Sequence, residues 1–352
     1  MLDLIEQNCE KVIASLDFSS LRNKRVLITG ASGLIGIHMV SVLKLLNERY
    51  DYKMDIWCWV FSNIDSNFTP VFDGCAVLKS DLTDSRNIEG VANTLAETLS
   101  GFDVIIHAAG YGQPQKFTSN KIKTIELNTH ATTNLFKLLN SEGSFLFCST
   151  SEVYSGINEE AIDETRIGTT LPDHPRACYI EGKRCGEAIC QAFSELGYKT
   201  KIARISLAYG PGTKSNDARV ISNLIDKGLK NGRIEMLDSG SSIRTYGYIS
   251  DIVEMLYNIL LHGKQTVYNV SGNSRVSILE LAQKIGEQLN CEVVVPSSES
   301  VGLSGNPKVV NMSIDRYLTE FGNKTFEPID IGLTNTVNWQ RKLHGIECEV
   351  AQ

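Results

Sequence analysis

The chain has 352 residues, 42% hydrophobic and 21% charged, a composition with enough apolar material for a buried core and unlike that of a disordered or collagen-like chain. Its 34 basic against 41 acidic residues leave a net charge of −7, so there is no global field for nucleic acid, although a local basic pocket for phosphate is still possible. Nine cysteines, with no Cys-x-x-Cys spacing, read as buried thiols in a reducing compartment rather than as a disulfide framework or a metal site.

Residues 1–22 read as a short amphipathic helix and an adaptor, without the basic start and apolar core of a signal peptide. Residues 24–28 (KRVLI) form a β-branched run that enters TGASGLIG, followed by helical apolar spacing over 37–46. Further buried strands are expected at 56–61, within 75–84, at 102–110 and at 144–154, with a helix over 121–139. A helix over 178–197 and a sixth strand at 201–206 follow. Beyond residue 210 the texture changes to loops, short strands near 234–237 and 268–272, and helices at 251–262 and 277–289. Apolar strands alternating with helices predict an α/β fold, a doubly wound parallel sheet with a smaller C-terminal α/β lobe. The expected divisions are 1–22, 23–210, 211–343 and a tail at 344–352, with segments free to cross between lobes. No run approaches the ~18 apolar residues of a membrane helix, so a soluble, cytoplasmic protein is expected, with neither membrane nor nucleic acid as partner.

The run from Gly30 to Gly36 has the spacing G-x-x-G-x-x-G between a strand and a helix. Glycines let the backbone turn tightly and approach a pyrophosphate, and the helix start (Ser32, Gly33, Leu34, Ile35) offers N–H groups and a positive dipole end. The same trio can also be a bare strand–helix turn, but its position near the start of the chain favours a dinucleotide. NAD enzymes usually end the second strand in a carboxylate that takes the ribose hydroxyls. Here the end reads Val60-Phe61-Ser62-Asn63, with no acid before Asp65 and no basic residue in the acid's place. NADP is therefore permitted as well as NAD, with a lean to NADP. Asp81 and Leu82 are candidates for the adenine, and Ala108 and Ala109 leave room for a cofactor ribose. His107 reads as structural.

Tyr179 and Lys183 stand one helical turn apart on a common face. Lys183 is expected to lower the tyrosine's pKa and to hold the nicotinamide ribose. Tyr179 then exchanges a proton with an alcohol oxygen while a hydride moves to or from the nicotinamide. Thr150, at the end of the fifth strand, is the third member and bonds the reacting oxygen.

The ordered series TGASGLIG, DLTD, HAAG, CSTSEVY, PRACYIEGKR, RISLAYGPG, NDARVISN and RTYGYISDIV resembles the extended short-chain dehydrogenase/reductases of the nucleotide-sugar epimerase/dehydratase group. Within that group the chain is most similar to the UDP-glucuronate decarboxylase (UDP-xylose synthase) type. The resemblance implies a seven-stranded Rossmann domain with a substrate lobe, a nucleotide-diphosphate sugar as ligand, and a homodimer built on the helices at 121–140 and 178–197. Ile180, Ala188, Ile189 and Phe193 are the apolar residues available to that bundle or to the sheet. It also implies roles for Glu152 and Arg244 near a sugar carboxylate, Arg244 having a diphosphate oxygen as its other candidate partner. Asn216 and Arg219 are implied as diphosphate contacts, and Ser151 and Tyr248 as further substrate contacts. Ser151 stands where 4,6-dehydratases carry an acid, which argues against dehydration. The loop 110–117 (GYGQPQKF) departs from the family's S-P-A-S-P-P-x-Y, and Ser155 replaces a glycine.

One triad supports several outcomes. Decarboxylation of a uronate is the leading expectation. Reduction of a 4-keto-6-deoxyhexose by NADPH and 4-epimerisation are alternatives, and a non-catalytic NADP-sensing scaffold is the alternative outside enzymology.

Overall fold

In the computed structural model, residues 1–98, 101–157, 159, 161–296 and 311–346 are described. The first six strands are β1 (Arg25–Thr29), β2 (Asp55–Val60), β3 (Ala76–Lys79), β4 (Phe102–His107), β5 (Leu139–Thr150) and β6 (Lys199–Ile205). They are followed by β7 (Leu207–Tyr209), β8 (Arg233–Glu235), β9 (Ile243–Tyr248), β10 (Val267–Val270), β11 (Ser274–Ser277) and β12 (Glu292–Val294). The large sheet has seven strands in the order β10-β6-β5-β4-β1-β2-β3, and every pairing in it is parallel.

The helices are α1 (Asp3–Ser15), α2 (Leu34–Tyr50), α3 (Ser85–Thr98), α4 (Pro114–Ser119), α5 (Lys121–Asn128) and α6 (His130–Leu135), then α7 (Ala177–Glu195), α8 (Val220–Asn231), α9 (Ile249–His262), α10 (Ile278–Leu289), α11 (Asp315–Phe321) and α12 (Ile329–Leu343). Both faces of the sheet are apolar, as the continuous hydrophobic strands require. Val26, Ile28, Ile56 and Cys58 face a core shared with α1, α2 and α9, while Leu27, Trp59, Ile105 and Phe145 face α3, α6 and α7. The smaller lobe holds the sheet β11-β9-β7, the pair β12-β8, and α8, α10 and α12. The fold is a doubly wound, Rossmann-type α/β sheet with a C-terminal lobe.

The strand near 268–272 joins the large sheet as its seventh member beside β6, one of the segments that cross between lobes. Two elements differ from expectation. The helix expected over 121–139 is broken at Thr129. There the hydroxyls of Thr129, Thr132 and Thr133 and the Asn128 amide bond back to carbonyls four residues earlier, a habit that bends helices. The fifth strand stops at Thr150, whose hydroxyl accepts the Glu152 N–H at 3.3 Å and starts a 3₁₀ turn over Ser151–Tyr154. Helix α1 is integral to the core: Ile5, Cys9 and Val12 are buried, and Glu6 and Glu10 pair with Arg49 of α2. The tail beyond 346 lies outside the described residues. Among the described residues no helix is long and apolar enough to cross a membrane.

Candidate active site

Connections run from β1 towards β3 on one side and from β4 towards β10 on the other. A crevice therefore opens at the carboxyl ends of β1 and β4, where such sheets bind ligands. Gly30 leaves β1 with φ +67°, and a Cβ there would lie 2.6 Å from the backbone of Ala108 and Ala109. At Gly36 a Cβ would lie 2.4 Å from the Gly30 carbonyl oxygen, backbone against backbone. Gly33 is the N-cap of α2 in extended conformation, and no side chain caps the helix. The first-turn N–H groups of α2 thus point out of a glycine cradle with no competing side chain, which fits a dinucleotide pyrophosphate. Ser32 and Ile35 are half-buried at this turn and Leu34 is buried.

The adenosine end of the crevice is more basic than the sequence suggests. Ser62 and Asn63 are exposed after β2, and Phe61 is 60% exposed. Lys79, the last residue of β3, donates from its ammonium to the Asn63 side-chain carbonyl. Lys123 of α5 lies 5.8 Å from the Phe61 ring centroid and 2.7 Å from Asp81. Burial works against ionisation of Asp81, but Lys123 and the bonds from Thr83 hold its carboxyl below the usual range. Leu82 beside it is buried. His107 is structural: Nδ1 meets the Thr29 hydroxyl at 2.7 Å, Nε2 meets the Leu127 carbonyl at 3.2 Å, and burial drops its pKa to about 3.

At the other end, Thr150, Tyr179 and Lys183 come together. Thr150 stands close enough to the Tyr179 hydroxyl to favour its ionised form. The Tyr179 ring stacks on Phe117 of α4, with centroids 4.7 Å apart. Lys183 is buried, donates to the Cys148 carbonyl of β5 at 2.6 Å, and lies 4.7 Å from the Phe147 ring centroid. Gly110 leaves the space beside its ammonium open. Burial lowers Lys183 to about 8. The expected lowering of the tyrosine is not what this arrangement produces. Burial first, then the Glu152 carboxylate, push Tyr179 up to about 12 against Thr150 and Arg176, while the Lys183 ammonium is directed at the Cys148 carbonyl of β5.

Beside Tyr179 lies a charged cluster. Glu152 forms a two-pronged ion pair with Arg176, whose Nε donates at 2.9 Å. Arg176 also lies 5.4 Å from the Phe117 ring centroid. Arg244 of β9 is partly buried, which lowers its pKa, and it feels Tyr246, Arg176 and Glu152. Ser151 is buried at the start of the same turn. Arg219 is held by Asp217 through its Nε, at 3.0 Å to each carboxylate oxygen, and Asp217 also accepts from Gln113 of the post-β4 loop at 3.4 Å. Asn216 beside them is exposed. Tyr248, expected at the substrate, is buried, its hydroxyl accepts from Asn335 of α12 at 3.1 Å, and its ring packs edge-on against Tyr209.

Sequence reasoning missed Arg176 and Tyr246. Tyr246 lies two residues from Arg244 on β9, so the two share a face, and its buried hydroxyl has no hydrogen-bond partner among the described residues. It also missed the polar network beneath the site. Glu187, one turn after Lys183, receives the Ser149 hydroxyl and pairs with Arg204 of β6. Arg204 reaches Tyr154 at 2.9 Å, and Tyr154 donates to Asn269 of β10 at 2.7 Å. This ties β5, α7, β6 and β10 together directly below Thr150. Among the described residues no His, Cys, Asp and Glu group is arranged to hold a metal.

A dinucleotide cradle joined to a Thr-Tyr-Lys group on a Rossmann sheet defines a nicotinamide-dependent enzyme of the short-chain type. The model of the NAD dependent epimerase/dehydratase family matches residues 26–271, and the chain belongs to that family of enzymes. UDP-glucuronic acid decarboxylase 1 of Xenopus tropicalis is 30% identical over 325 residues, 91% of this chain and 72% of that protein. UDP-glucuronic acid decarboxylase 1 of Danio rerio is 32% identical over 265 residues, 74% of this chain and 60% of that protein. The solved structure of UDP-glucuronic acid 4-epimerase from Bacillus cereus, in complex with UDP-glucuronic acid and NAD, matches with TM-score 0.72 and 19% identity, covering 91% of this chain and 99% of that one. That last likeness is one of fold.

Proposed function

We propose that the chain decarboxylates a nucleoside-diphosphate uronate, with UDP-glucuronate as the first substrate to try. The observation that carries this reading is the cluster beside Tyr179. There the ion pair of Glu152 and Arg176 stands within electrostatic reach of the reacting phenol, and the guanidinium of Arg244 stands within reach of that pair. A neutral hexose offers no charge to that cluster, whereas a carboxylate at C5 matches guanidinium forks. Similarity to the two UDP-glucuronic acid decarboxylases supports the same substrate.

Gly30, Gly33, Gly36 and the α2 N-terminus would hold the coenzyme pyrophosphate, Ala108 and Ala109 would flank its ribose, and Asp81 and Leu82 would meet its adenine. When bound, the coenzyme supplies reversible two-electron oxidation at the sugar C4. Tyr179 takes the proton from the C4 hydroxyl and later returns it, while Thr150 orients that oxygen. Lys183 holds the nicotinamide ribose. The C4 ketone makes the C5 carboxylate a β-keto acid. As the C–C bond breaks, carbon dioxide leaves, the electron pair moves into the carbonyl, and a proton taken up at C5 completes the exchange. Ser151 and Glu152 line the sugar, and Asn216 and Arg219 contact the diphosphate. A homodimer through α5 and α7 is part of this reading, because Ile122 (69% exposed) and Ile125 of α5 face outward, as does Ala188 of α7. Ile180 is buried, and Phe193 stacks on Phe136 on the sheet side.

The test is incubation of the purified protein with UDP-glucuronate, with mass spectrometry of the nucleotide sugar and capture of carbon dioxide. A UDP-pentose with stoichiometric carbon dioxide is expected. A product of unchanged mass but altered sugar stereochemistry would instead make the enzyme a 4-epimerase. No reaction, together with NADPH oxidation by a nucleotide 4-keto-6-deoxy sugar, would make it a reductase, the reading that the missing acid after β2 favours.

A further inference from the structure

We propose that Lys79 and Asn63 form a subsite for the 2′-phosphate of NADP, so that this member of an NAD-dependent family takes the phosphorylated coenzyme. This rests on the coenzyme reading of the glycine cradle and is independent of which sugar is processed. Strand β2 ends at Val60, and register pairs Val60 with Lys79, so the two strand ends lie side by side at the mouth of the crevice. A carboxylate at the end of β2 would accept both ribose hydroxyls of NAD and repel a phosphate. Here that place is held by Phe61, Ser62 and Asn63, none of which carries charge. Across from them the Lys79 ammonium is already drawn onto the Asn63 side-chain carbonyl. Both residues are exposed, so an arriving phosphate displaces no core contact.

The other charges around this mouth agree. Asp81 is occupied by Lys123 at 2.7 Å, and the Asp65 carboxylate accepts the Asn67 N–H at 3.0 Å as a cap. Lys214 of the second lobe lies within electrostatic reach of Lys116 and Asp65. Both carboxylates near the strand ends thus have partners of their own, and the Lys79 ammonium faces only the neutral Asn63 amide, an arrangement that suits a dianionic phosphate better than a pair of neutral hydroxyls. Asn63 serves as a placeholder that keeps the ammonium near the ribose. Its amide nitrogen and the Ser62 hydroxyl are donors suited to the phosphate once Lys79 has moved. Decarboxylation with return of the hydride is redox-neutral, so its chemistry is indifferent to the 2′-phosphate.

Binding alone tests this, without turnover. Coenzyme-free protein is titrated with NADPH and NADH by nicotinamide fluorescence, and with 2′,5′-ADP and 5′-AMP by calorimetry. A charged hydrogen bond is worth about 1.5–3 kcal/mol, so each phosphorylated ligand should bind at least about tenfold tighter than its partner. In Lys79→Met the NADPH-to-NADH affinity ratio should fall by about tenfold. Lys79 is exposed on an edge strand, so the variant should fold, which melting will check. Ser62→Asp, which restores an acid after β2, should invert the preference. The assignment is overturned if NADH binds as tightly as NADPH, if 5′-AMP matches 2′,5′-ADP, or if Lys79→Met leaves the ratio unchanged. A protein that prefers NADPH but leaves UDP-glucuronate untouched would sink the proposed reaction and leave this subsite standing.

Discussion

Around Gly30 the site is made of backbone pressed against backbone; around Tyr179 it is made of charged side chains drawn from distant segments. In the first region a missing Cβ at Gly30 and Gly36 is the functional feature, because any side chain there meets main-chain atoms at 2.4–2.6 Å. In the second region Glu152, Arg176, Arg244 and Tyr179 come from a 3₁₀ turn, the loop before α7, β9 and α7 itself. The cradle has one arrangement. The cluster is held by ion pairs that an anionic sugar can exchange for its own. On the proposed reading, rigidity sits under the coenzyme and exchangeable charge sits under the sugar.

The largest expected effect tests the charged side at its centre. Tyr179→Phe should keep the stack on Phe117 and remove the proton carrier, lowering kcat by about 10²–10⁴-fold with little change in Tm. A kcat within threefold of wild type would move the acid–base role to another group. Next comes the support beneath both regions. Glu187→Gln leaves the buried Arg204 guanidinium without its counter-charge and should cost about 3–5 kcal/mol in urea unfolding. A smaller loss would mean that the contacts of Arg204 to Tyr154, Glu164 and Arg166 suffice to hold it. On the backbone side, Gly36→Ala should cost about 1–3 kcal/mol by overpacking and abolish coenzyme binding in fluorescence titration. Normal binding by that variant would show that the turn can open, against the contrast drawn here.

What was legible in the sequence follows the same division. The glycine spacing and the Tyr-x-x-x-Lys pair are short-range patterns, and each maps onto one turn or one helix face. The strands were legible because both faces of the sheet are apolar. Arg176 was not, because its partner Glu152 is 24 residues away and nothing in PRACY marks a pairing. Lys79 and Asn63 are 16 residues apart on neighbouring strand ends, a contact set by register, and residue type does not reveal it. The break at Thr129 was hidden because apolar periodicity runs through a segment whose threonines bond back to the helix. The surroundings of Tyr248 were hidden in the same way: it shares a strand face with Arg244 and Tyr246, and its partner Asn335 of α12 lies 87 residues further along the chain.

The smallest effect is the most specific to the charged region. Glu152 is the largest charge raising Tyr179, and Arg176 works in the opposite direction. Glu152→Gln removes the first and releases the second from its pair, so both changes lower the phenol's pKa. A base that must lose its proton before it can accept one works better as pH approaches its pKa, so the alkaline rise in rate assigned to Tyr179 should move to lower pH. Lys183 provides the internal control. It titrates near 8 through burial, with Cys148, Glu187 and Cys190 as the charges acting on it, and Glu152 is not among them. The limb near pH 8 should therefore stay in place while the tyrosine limb shifts, even if the height of the profile falls because of the role proposed for Glu152 at the sugar. If both limbs move together, the two groups titrate as a coupled pair and the separation of Lys183 from Tyr179 seen here does not survive ligand binding. If neither moves, the Arg176 guanidinium already cancels the carboxylate at the phenol, and the cluster acts on the sugar alone.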